Sequence, residues 1–306
     1  MKIAVVGAGA MGSIFGARFH QAGHETVLVD VVQPLVDTIN AEGVTVVRGD
    51  DETVTHVPAT TDPAAVGPVD IVVFFTKCYH TSSAAESARP LVGPDTAVAS
   101  LQNGWGNGDV LAAAYPPGQV VLGVTYNSGL LQGPGRVLHP AEQPTLVGSF
   151  SDGGDGAARL AEALESAGLA ATVASPVRPE IWKKLILNAA SLPASALTGM
   201  TAGALGTSQD MLDLVSETTR EAVAVAQALG YDIDFDERIG TILGLVEKAG
   251  PTKASMLQDV EAGRRTEIDV INGAVVRAAD EVGVPVPINR TLMQLIKGWE
   301  TQRGLV

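Results

Sequence analysis

Cysteine and positive charge are both scarce in this chain. Cys78 is the single cysteine among 306 residues, so neither an internal disulfide nor a cysteine-rich zinc site is possible. This usage is typical of reducing compartments, and we expect a cytoplasmic location. Only 20 Lys and Arg stand against 34 Asp and Glu, which gives a net charge of −14. A chain this acidic repels nucleic-acid phosphates and anionic lipid surfaces, and we expect neither as a partner.

Long apolar runs and metal-ligand patterns are also missing. No uninterrupted apolar stretch approaches the roughly 18 residues of a membrane span, so we expect no membrane association. The five histidines show no paired spacing with carboxylates, and the one close pair, His20 and His24, has Gly23 between its members. We therefore expect no metal site. The hydrophobic share of 46% is still enough for sizeable cores, and the length suits two domains of about 150 residues each.

The first half of the chain alternates between short β-rich runs and helical periodicity. The run at 69–77 is almost continuously apolar, as expected for a strand buried on both faces of a parallel sheet. This alternation predicts an α/β fold with a Rossmann-type doubly wound sheet in an N-terminal domain of residues 1–176. The predicted strands are 2–9, 25–30, 43–49, 52–59, 69–77, 96–101, 119–126 and 170–174, of which 43–49 and 52–59 form a hairpin. The predicted helices are 11–22, 34–43, 80–90, 107–115 and 157–167.

The second half changes character after the linker at 175–180. Long helical patterns with Gly and Pro punctuation replace the strand signals. We therefore predict an all-helical C-terminal domain of residues 177–306. Its predicted helices are 180–192, 208–230, 235–249, 252–263, 266–282 and 289–302.

A glycine motif marks a dinucleotide-binding turn. The motif G-x-G-x-x-G directly follows the first strand and opens the first helix, which is the context that the motif requires. Gly7 permits the tight turn, Gly9 lets the backbone approach a pyrophosphate, and Gly12 allows close packing of helix and strand. The helix N-terminus then presents free N–H groups to the phosphates. The expected cofactor-binding residues of the motif are Gly7, Ala8, Gly9, Ala10, Met11 and Gly12.

Asp30 closes the second strand, 18 residues after Gly12. A carboxylate at this position accepts hydrogen bonds from an adenosine ribose and repels a 2′-phosphate. No Lys or Arg follows in residues 31–34, so the sequence favours NAD(H) over NADP(H). An arginine from elsewhere, such as Arg48, would reverse this preference.

Two polar residues interrupt the apolar pattern of the first C-terminal helix. Lys184 and Asn188 are four residues apart and therefore lie on one helix face. A lysine in such a place is most often a surface residue. The Asn188 amide sits among apolar neighbours, where it is costly unless it is hydrogen-bonded or functional.

Four further polar residues have both ordinary and functional interpretations. Glu267 is predicted in the first turns of a helix, where an acid complements the helix dipole, and Ser255 suits a helix cap. Asn103 and Lys77 follow strands at the carboxyl edge of the predicted sheet, where α/β proteins place their sites.

From end to end, the chain resembles the ketopantoate reductase (2-dehydropantoate 2-reductase) family. The two C-terminal segments are the more specific, and the order and spacing of all the segments agree with the family. The matching segments are GAGAMG at 7–12, FFTK at 74–77, LQNG at 101–104, EIWKKLILN at 180–188 and SMLQDVEAGRRTEIDVING at 255–273.

The resemblance implies a role for each matching residue. Lys184 stands at the catalytic lysine and Glu267 at the active-site glutamate of the family. Asn188 stands at a substrate-binding asparagine, and Ser255 at the serine that holds the substrate carboxylate. The remaining matches, near the nicotinamide and the substrate, are Asn103 and Lys77.

Two positions depart from the family pattern. The family typically has a second substrate-binding asparagine four residues beyond Asn188, but Leu192 stands there and cannot donate to a polar substrate end. Most members resemble NADPH enzymes with a basic residue after the second strand, whereas this chain has Asp30. The family also includes NAD-dependent D-2-hydroxyacid dehydrogenases of branched or aromatic 2-oxoacids, and both departures point partly toward them.

The expected function is that of an oxidoreductase on a small 2-oxoacid. The resemblance implies reduction of 2-dehydropantoate to pantoate by NAD(P)H, a step of pantothenate biosynthesis, with the D-2-hydroxyacid dehydrogenase as the alternative. A non-catalytic dinucleotide sensor is the competing class. It needs the glycine motif but not the ordered set of Lys184, Asn188, Ser255 and Glu267, so the complete set argues against it. A homodimer is compatible with the helical domain.

Overall fold

The computed structural model describes residues 1–151 and 153–306. Its chain divides into two compact units. The first contains residues 1–102 and 107–177, and the second contains residues 103–106 and 178–306. Among the described residues, no helix is both long and apolar enough to cross a membrane.

The strands all belong to the first unit within the described chain. β6 carries the apolar run expected from the sequence, and its residues 71–74 are completely buried. The strands are β1 (Lys2–Val6), β2 (Glu25–Val29), β3 (Val44–Arg48), β4 (Asp51–Thr55), β5 (Ala59–Thr60), β6 (Val69–Phe74), β7 (Val92–Ser100), β8 (Val120–Thr125), β9 (Ser128–Gly133), β10 (Arg136–Ala141), β11 (Thr145–Ser149) and β12 (Ala171–Val173).

The larger sheet has the doubly wound topology that the sequence predicts. Its order in the described chain is β12-β11-β8-β7-β6-β1-β2-β5, with β7 and β6 at the centre. All neighbours from β5 to β8 pair in parallel, and β11 pairs antiparallel with β8. The strand order reverses between β1 and β6, and doubly wound sheets bind dinucleotides in the crevice at such a switch point.

Helices cover this sheet. α1 ends at Gln21, just before Gly23 takes a positive φ of 86°, as the sequence predicts. Phe15 and Phe19 of α1 pack into the core. The helices of the first unit are α1 (Ala10–Gln21), α2 (Gln33–Glu42), α3 (Thr81–Ser87), α4 (Asn107–Ala114) and α5 (Gly156–Ser166).

A smaller sheet has the order β4-β3-β10-β9. The sequence predicts two of its four strands, β3 and β4. The β3–β4 hairpin confirms the prediction, but the predicted strand at 52–59 is wrong as a single element. It ends at Thr55, and β5 at 59–60 joins the larger sheet instead. Pro58 lies between the two pieces and has no N–H to donate to a strand ladder, which explains the break. β9 and β10 were not predicted.

The second unit is helical, as predicted. Its core surrounds α6, which packs against α8, α10 and α12, and the fully buried Trp182 is its largest member. The helices are α6 (Arg178–Thr198), α7 (Ala202–Leu205), α8 (Gln209–Ala228), α9 (Phe235–Lys248), α10 (Ser255–Glu261), α11 (Asn272–Val282) and α12 (Pro287–Gln302).

α6 does not end at 192 but continues through Pro193. A proline inside a helix leaves the carbonyl four residues earlier without its usual donor. Here that carbonyl belongs to Ala189, and the Asn272 side chain donates to it at 2.9 Å. The side chain of a distant helix therefore compensates for the missing bond.

The prediction of one helix over 266–282 is wrong. A 3₁₀ turn at Ile268–Val270 is followed by Ile271, whose ψ of −99° interrupts the helical backbone before α11 begins. Ile268 and Ile271 are nevertheless both buried. Their apolar spacing imitates that of a continuous helix, which explains the error.

Candidate active site

The glycine turn of the first unit has the steric requirements that the sequence suggests. Gly7 has a positive φ of 98°. A Cβ atom on Gly12 would lie 1.8 Å from the Gly7 carbonyl oxygen, so only glycine fits there. A Cβ on Gly9 would meet no atom within 4 Å. Open space therefore lies beside the turn at the residue that a pyrophosphate would approach.

The start of α1 fits the phosphates of a dinucleotide. Gly9 is exposed and caps the helix without a side chain, while Ala10 and Met11 are half-buried. The first backbone N–H groups of a helix have no partner within it and attract anions. Ala8 is fully buried and packs into the hydrophobic core of the first unit. The residues present thus fit a bound dinucleotide.

Asp30 follows β2 and is tied to the glycine turn. Its Oδ2 accepts a hydrogen bond from the Ala8 N–H at 2.7 Å, and its Oδ1 accepts one from the Val32 N–H at 3.0 Å. A carboxylate has about four acceptor sites, so capacity remains for ribose hydroxyls. Arg48, the basic residue considered above, forms an ion pair with Glu142 at 3.0 Å.

The carboxyl ends of β6 and β7 are joined by a buried amide that the sequence analysis missed. The Gln102 Nε2 donates to the Thr76 carbonyl and to the Thr81 hydroxyl, both at 2.8 Å. The Ser100 hydroxyl donates to the Gln102 Oε1 at 3.0 Å. This network holds the segment that contains Lys77, which is half-buried directly after β6. In the sequence, the only sign of this network is the position of Gln102 in the LQNG segment, directly before Asn103.

In the second unit, Lys184 and Asn103 are in direct contact. The Lys184 Nζ donates a hydrogen bond to the Asn103 Oδ1 at 2.9 Å, although the two residues are 81 positions apart. The adjacent Lys183 instead pairs with Glu180 at 2.8 Å within the first turn of α6. The two neighbouring lysines therefore have different surroundings.

Desolvation changes the acidity of Lys184. Burial lowers the pKa of Lys184 to about 8, and the Glu267 carboxylate opposes this effect by raising it. An ammonium with this pKa is largely protonated at neutral pH, yet it gives up its proton far more readily than an ordinary lysine. This combination suits a general acid.

Glu267 lies in the segment between α10 and the 3₁₀ turn, not on a helix as the sequence predicted. The residue is only 7% exposed. Its carboxylate is therefore not a solvent-exposed group that stabilises a helix N-terminus. Its charge instead acts on Lys184.

The remaining expected residues of the second unit lie on α6 itself or on α10, which packs against it. Asn188 lies one turn beyond Lys184 and is 7% exposed. Leu192, one turn further, is buried in the core of the unit. Ser255 is the half-buried first residue of α10, which packs against α6.

The segment 103–106 is fastened to the helical unit by contacts that the sequence did not reveal. The Trp105 N–H donates to the Val270 carbonyl at 2.8 Å. Gly104 has a φ of 86°, and a Cβ on it would lie 2.4 Å from the same carbonyl oxygen. The Trp105 ring packs on Trp182, with centroids 5.7 Å apart. These contacts hold Asn103 beside Lys184.

No group of three metal-ligating side chains occurs in residues 1–151 and 153–306. In the first unit, Asp30 is tied to the glycine turn, and in the second, Asn103 contacts Lys184.

Two family models match most of the chain. The model described as "Ketopantoate reductase PanE/ApbA" matches residues 3–152, and "Ketopantoate reductase PanE/ApbA C terminal" matches residues 176–300. Among curated proteins, the 2-dehydropantoate 2-reductase of Streptococcus pyogenes serotype M18 (strain MGAS8232) is 32% identical over 302 residues, or 98% of each chain. The enzyme of the same name from Pyrococcus abyssi (strain GE5 / Orsay) is 32% identical over 305 residues, or 99% of each chain.

Solved structures also resemble the chain over its length. A D-mandelate dehydrogenase in ternary complex with NADH and anilino(oxo)acetate has a TM-score of 0.94 at 29% identity, covering 99% of this chain and 100% of the other. A PanE/ApbA family ketopantoate reductase from Ralstonia eutropha JMP134 has a TM-score of 0.90 at 33% identity, with the same coverage.

Proposed function

Because the chain belongs to the ketopantoate reductase family, whose members act on small 2-oxoacids, we propose that it reduces a 2-oxoacid to a 2-hydroxyacid with a nicotinamide dinucleotide. The contact between Lys184 and Asn103, under the charge of Glu267, is the observation that carries the proposal. Residues 1–176 would form the dinucleotide-binding domain and residues 177–306 the substrate domain.

Lys184 is the proton donor of the proposed reaction. When bound, the reduced dinucleotide supplies a hydride for the carbonyl carbon of the substrate. The Lys184 ammonium donates a hydrogen bond to the carbonyl oxygen, where negative charge develops, and then transfers its proton to form the hydroxyl. The neutral amine afterwards regains a proton from solvent. Burial assists this transfer because it lowers the pKa of Lys184 to about 8.

The neighbouring polar groups bind and orient. Asn103 orients the Lys184 Nζ by accepting its hydrogen bond at Oδ1. The Glu267 carboxylate raises the pKa of Lys184, so the amine stays protonated at neutral pH. Asn188 would bind the substrate with its amide, and Ser255 would hold the substrate carboxylate with its hydroxyl. In the first unit, Lys77 would contribute positive charge for anionic groups.

NAD(H) is the proposed cofactor. Two observations support it: the Asp30 carboxylate at the end of β2 would repel a 2′-phosphate, and Arg48 is engaged by Glu142. The solved D-mandelate dehydrogenase complex, which contains NADH, is consistent with this choice.

2-Dehydropantoate is the first candidate substrate. The name 2-dehydropantoate 2-reductase is shared by relatives from bacteria and archaea that match the chain over nearly its whole length. Reduction of this 2-oxoacid would give pantoate.

A branched or aromatic 2-oxoacid is the second candidate, and Leu192 favours it. This leucine stands where the family typically has an asparagine, and it is buried. A buried apolar side chain offers no hydrogen bond to the hydroxyl group of 2-dehydropantoate, which would then be desolvated without a partner. D-Mandelate dehydrogenase, an enzyme named for an aromatic 2-hydroxyacid, supports the same candidate.

The test is to measure NADH and NADPH oxidation with three substrates: 2-dehydropantoate, 3,3-dimethyl-2-oxobutanoate and phenylglyoxylate. The second differs from the first only by the missing hydroxyl group. Preference for 2-dehydropantoate supports the first candidate, and preference for either apolar acid supports the second. Tight NADH binding without turnover of any 2-oxoacid would reject the enzyme and favour a dinucleotide sensor.

The Leu192→Asn variant tests whether residue 192 decides between the two candidate substrates. If Leu192 faces the substrate side chain, the new amide should raise kcat/KM for 2-dehydropantoate relative to its deshydroxy analogue by about tenfold, the value of one hydrogen bond of about 1.4 kcal/mol. Leu187→Asn, a change at a half-buried leucine elsewhere on α6, is the control and should leave the ratio unchanged.

A further inference from the structure

A fully buried carboxylate reaches the segment that carries Glu267. Glu300 lies near the end of α12 and has no exposed surface. Its Oε1 accepts two hydrogen bonds from Thr266, one from the backbone N–H at 2.8 Å and one from the hydroxyl at 2.7 Å. The two residues are 34 positions apart, so α12 is fastened directly to the residue preceding Glu267.

The same threonine also holds the residue that follows Glu267. The Thr266 Oγ1 accepts a hydrogen bond from the Ile268 N–H at 3.2 Å. The backbone is therefore fixed immediately before and immediately after Glu267. With α12 as the anchor, Glu300 and Thr266 leave Glu267 little freedom to move.

This region needs such an anchor because its backbone is irregular. Residues 264–266 between α10 and the 3₁₀ turn lie in no helix and have no repeating hydrogen bonds to set their direction. Glu267 begins that turn with a φ of −99° and a ψ of 25°, and its side chain makes no capping bond. Helical geometry therefore does not aim the Glu267 carboxylate.

Charged side chains lie close to the Glu300 carboxyl group. The Lys297 Nζ lies 3.5 Å from the Glu300 Oε2 and 3.2 Å from the Asp269 Oδ2, and Arg265 pairs with the same Asp269 oxygen at 3.1 Å. A buried carboxylate is costly unless it is paired and hydrogen-bonded. The Lys297 ammonium and the two hydrogen bonds from Thr266 together provide such partners for Glu300.

We propose that Glu300 is a positioning residue, which acts through Thr266 to hold the Glu267 carboxylate beside Lys184. This inference rests on the proposed function, since Glu267 has a role only if Lys184 is the proton donor. Glu300 itself touches no substrate in this scheme. Its effect on the reaction passes through the backbone on either side of Glu267.

The first experiment compares Thr266→Val with Thr266→Ser. The valine side chain has nearly the same shape but neither donates to Glu300 nor accepts from Ile268, and only the backbone N–H bond to Glu300 stays. Serine keeps the hydroxyl. We expect Thr266→Val to lower kcat by about tenfold to a hundredfold, which is part of the roughly hundredfold to ten-thousandfold that a general acid contributes. Thr266→Ser should restore most of it. NADH affinity should be unchanged, because the glycine turn lies in the first unit.

The pH profile separates positioning from a merely structural role. Glu267 raises the pKa of Lys184, so displacement of Glu267 should move the alkaline loss of kcat to lower pH in Thr266→Val and in Glu300→Gln. Glu281→Gln, a change at an exposed carboxylate of α11, is the control and should leave the profile where it is. If Glu300→Gln does not fold, the pair of threonine variants decides the question.

Two results separate this proposal from the proposed function. Variants that lower the melting temperature but keep the wild-type kcat and pH profile would overturn the positioning role alone, provided that Lys184→Ala is inactive. If the wild-type protein reduces no 2-oxoacid, the proposed function fails first, and the role of Glu300 fails with it.

Discussion

At the scale of the residue, two adjacent lysines show how environment decides chemistry. Lys183 is paired with Glu180 in the first turn of α6, whereas Lys184 donates to Asn103 and feels the charge of Glu267. The sequence alone treats Lys184 as a surface residue more often than not. The family resemblance already selects Lys184, and its contacts give the physical reason for that choice.

Replacing each lysine by alanine tests this difference. Lys184→Ala should lower kcat/KM for the 2-oxoacid by at least about a hundredfold, because the developing oxyanion loses its general acid. Lys183→Ala should stay within about twofold, because this half-buried lysine pairs with Glu180 and not with Asn103. Steady-state kinetics on both variants checks the prediction, and equal losses would contradict it.

The acidity of Lys184 predicts a pH dependence with opposite signs for the two reaction directions. Reduction requires the ammonium, so its kcat/KM should be constant below the Lys184 pKa of about 8 and fall as the pH rises through it. Oxidation of the 2-hydroxyacid requires the neutral amine and should rise through the same pH. Rate profiles in both directions test this, and a reduction rate unchanged up to pH values near that of an ordinary lysine, about 10.4, would refute it.

Asp30 predicts the coenzyme preference. Asp30→Asn keeps an oxygen that accepts from the Ala8 N–H but removes the charge that repels a 2′-phosphate. Repulsion between like charges in contact is worth roughly 1–4 kcal/mol near a protein surface, so the ratio of kcat/KM with NADPH to that with NADH should rise by about tenfold. Asp210→Asn, at an exposed site on α8, should not change the ratio. A fall in the ratio would argue against the role of Asp30.

At the scale of the element, α6 depends on a side chain from another helix. The helix continues through Pro193 because Asn272 donates to the Ala189 carbonyl, which the proline leaves without its usual partner. Asn272 is itself fully buried and also donates to the Asn289 side chain at 3.1 Å. α6 carries Lys184 and Asn188, so its continuity matters to the candidate site.

A double-mutant cycle on Asn272 and Pro193 measures this compensation. Asn272→Ala should lower the free energy of unfolding by about 1–3 kcal/mol, because a buried carbonyl loses its donor. In a Pro193→Ala background the loss should be smaller by roughly 1 kcal/mol, since a backbone N–H is then available to Ala189. The bond to Asn289 is lost in both backgrounds and cancels. Urea unfolding provides the energies, and strictly additive effects would contradict the compensation.

Local patterns predicted most elements but failed where partners are distant. β6 and α1 were predictable because burial on both faces and helical spacing are visible in short windows of sequence. β9 was not, because its residues are half-buried or exposed without alternation. Its neighbour β10 pairs with β3, about 90 residues earlier in the chain. The turn at Ile268–Val270 imitated a helix because its apolar residues continue the same spacing.

At the scale of the whole molecule, the net charge of −14 predicts a salt dependence of stability. A large excess of one sign destabilises the compact state through repulsion between its charges. Raising the ionic strength from about 0.01 M to about 0.15 M shortens the screening length from about 30 Å to about 8 Å. The urea midpoint should therefore rise, equally with sodium and potassium chloride. A lower midpoint at the higher salt would show that ion pairs outweigh the repulsion.

The sequence by itself determined the α/β character and the helical C-terminal part, because glycine sterics and apolar periodicity act over a few residues. The family followed from the resemblance of five segments between residues 7 and 273. The roles inferred from the family stay predictions for all of the site residues: Lys184, Glu267, Asn103, Asn188, Ser255, Leu192 and Lys77.

The tertiary structure alone decided which polar groups meet. The bonds of Lys184 to Asn103 and of Glu300 to Thr266 join residues 81 and 34 positions apart. The lowered pKa of Lys184 likewise arises from desolvation by packed neighbours. Contacts and desolvation of this kind depend on how the chain packs in three dimensions, and no local pattern encodes them.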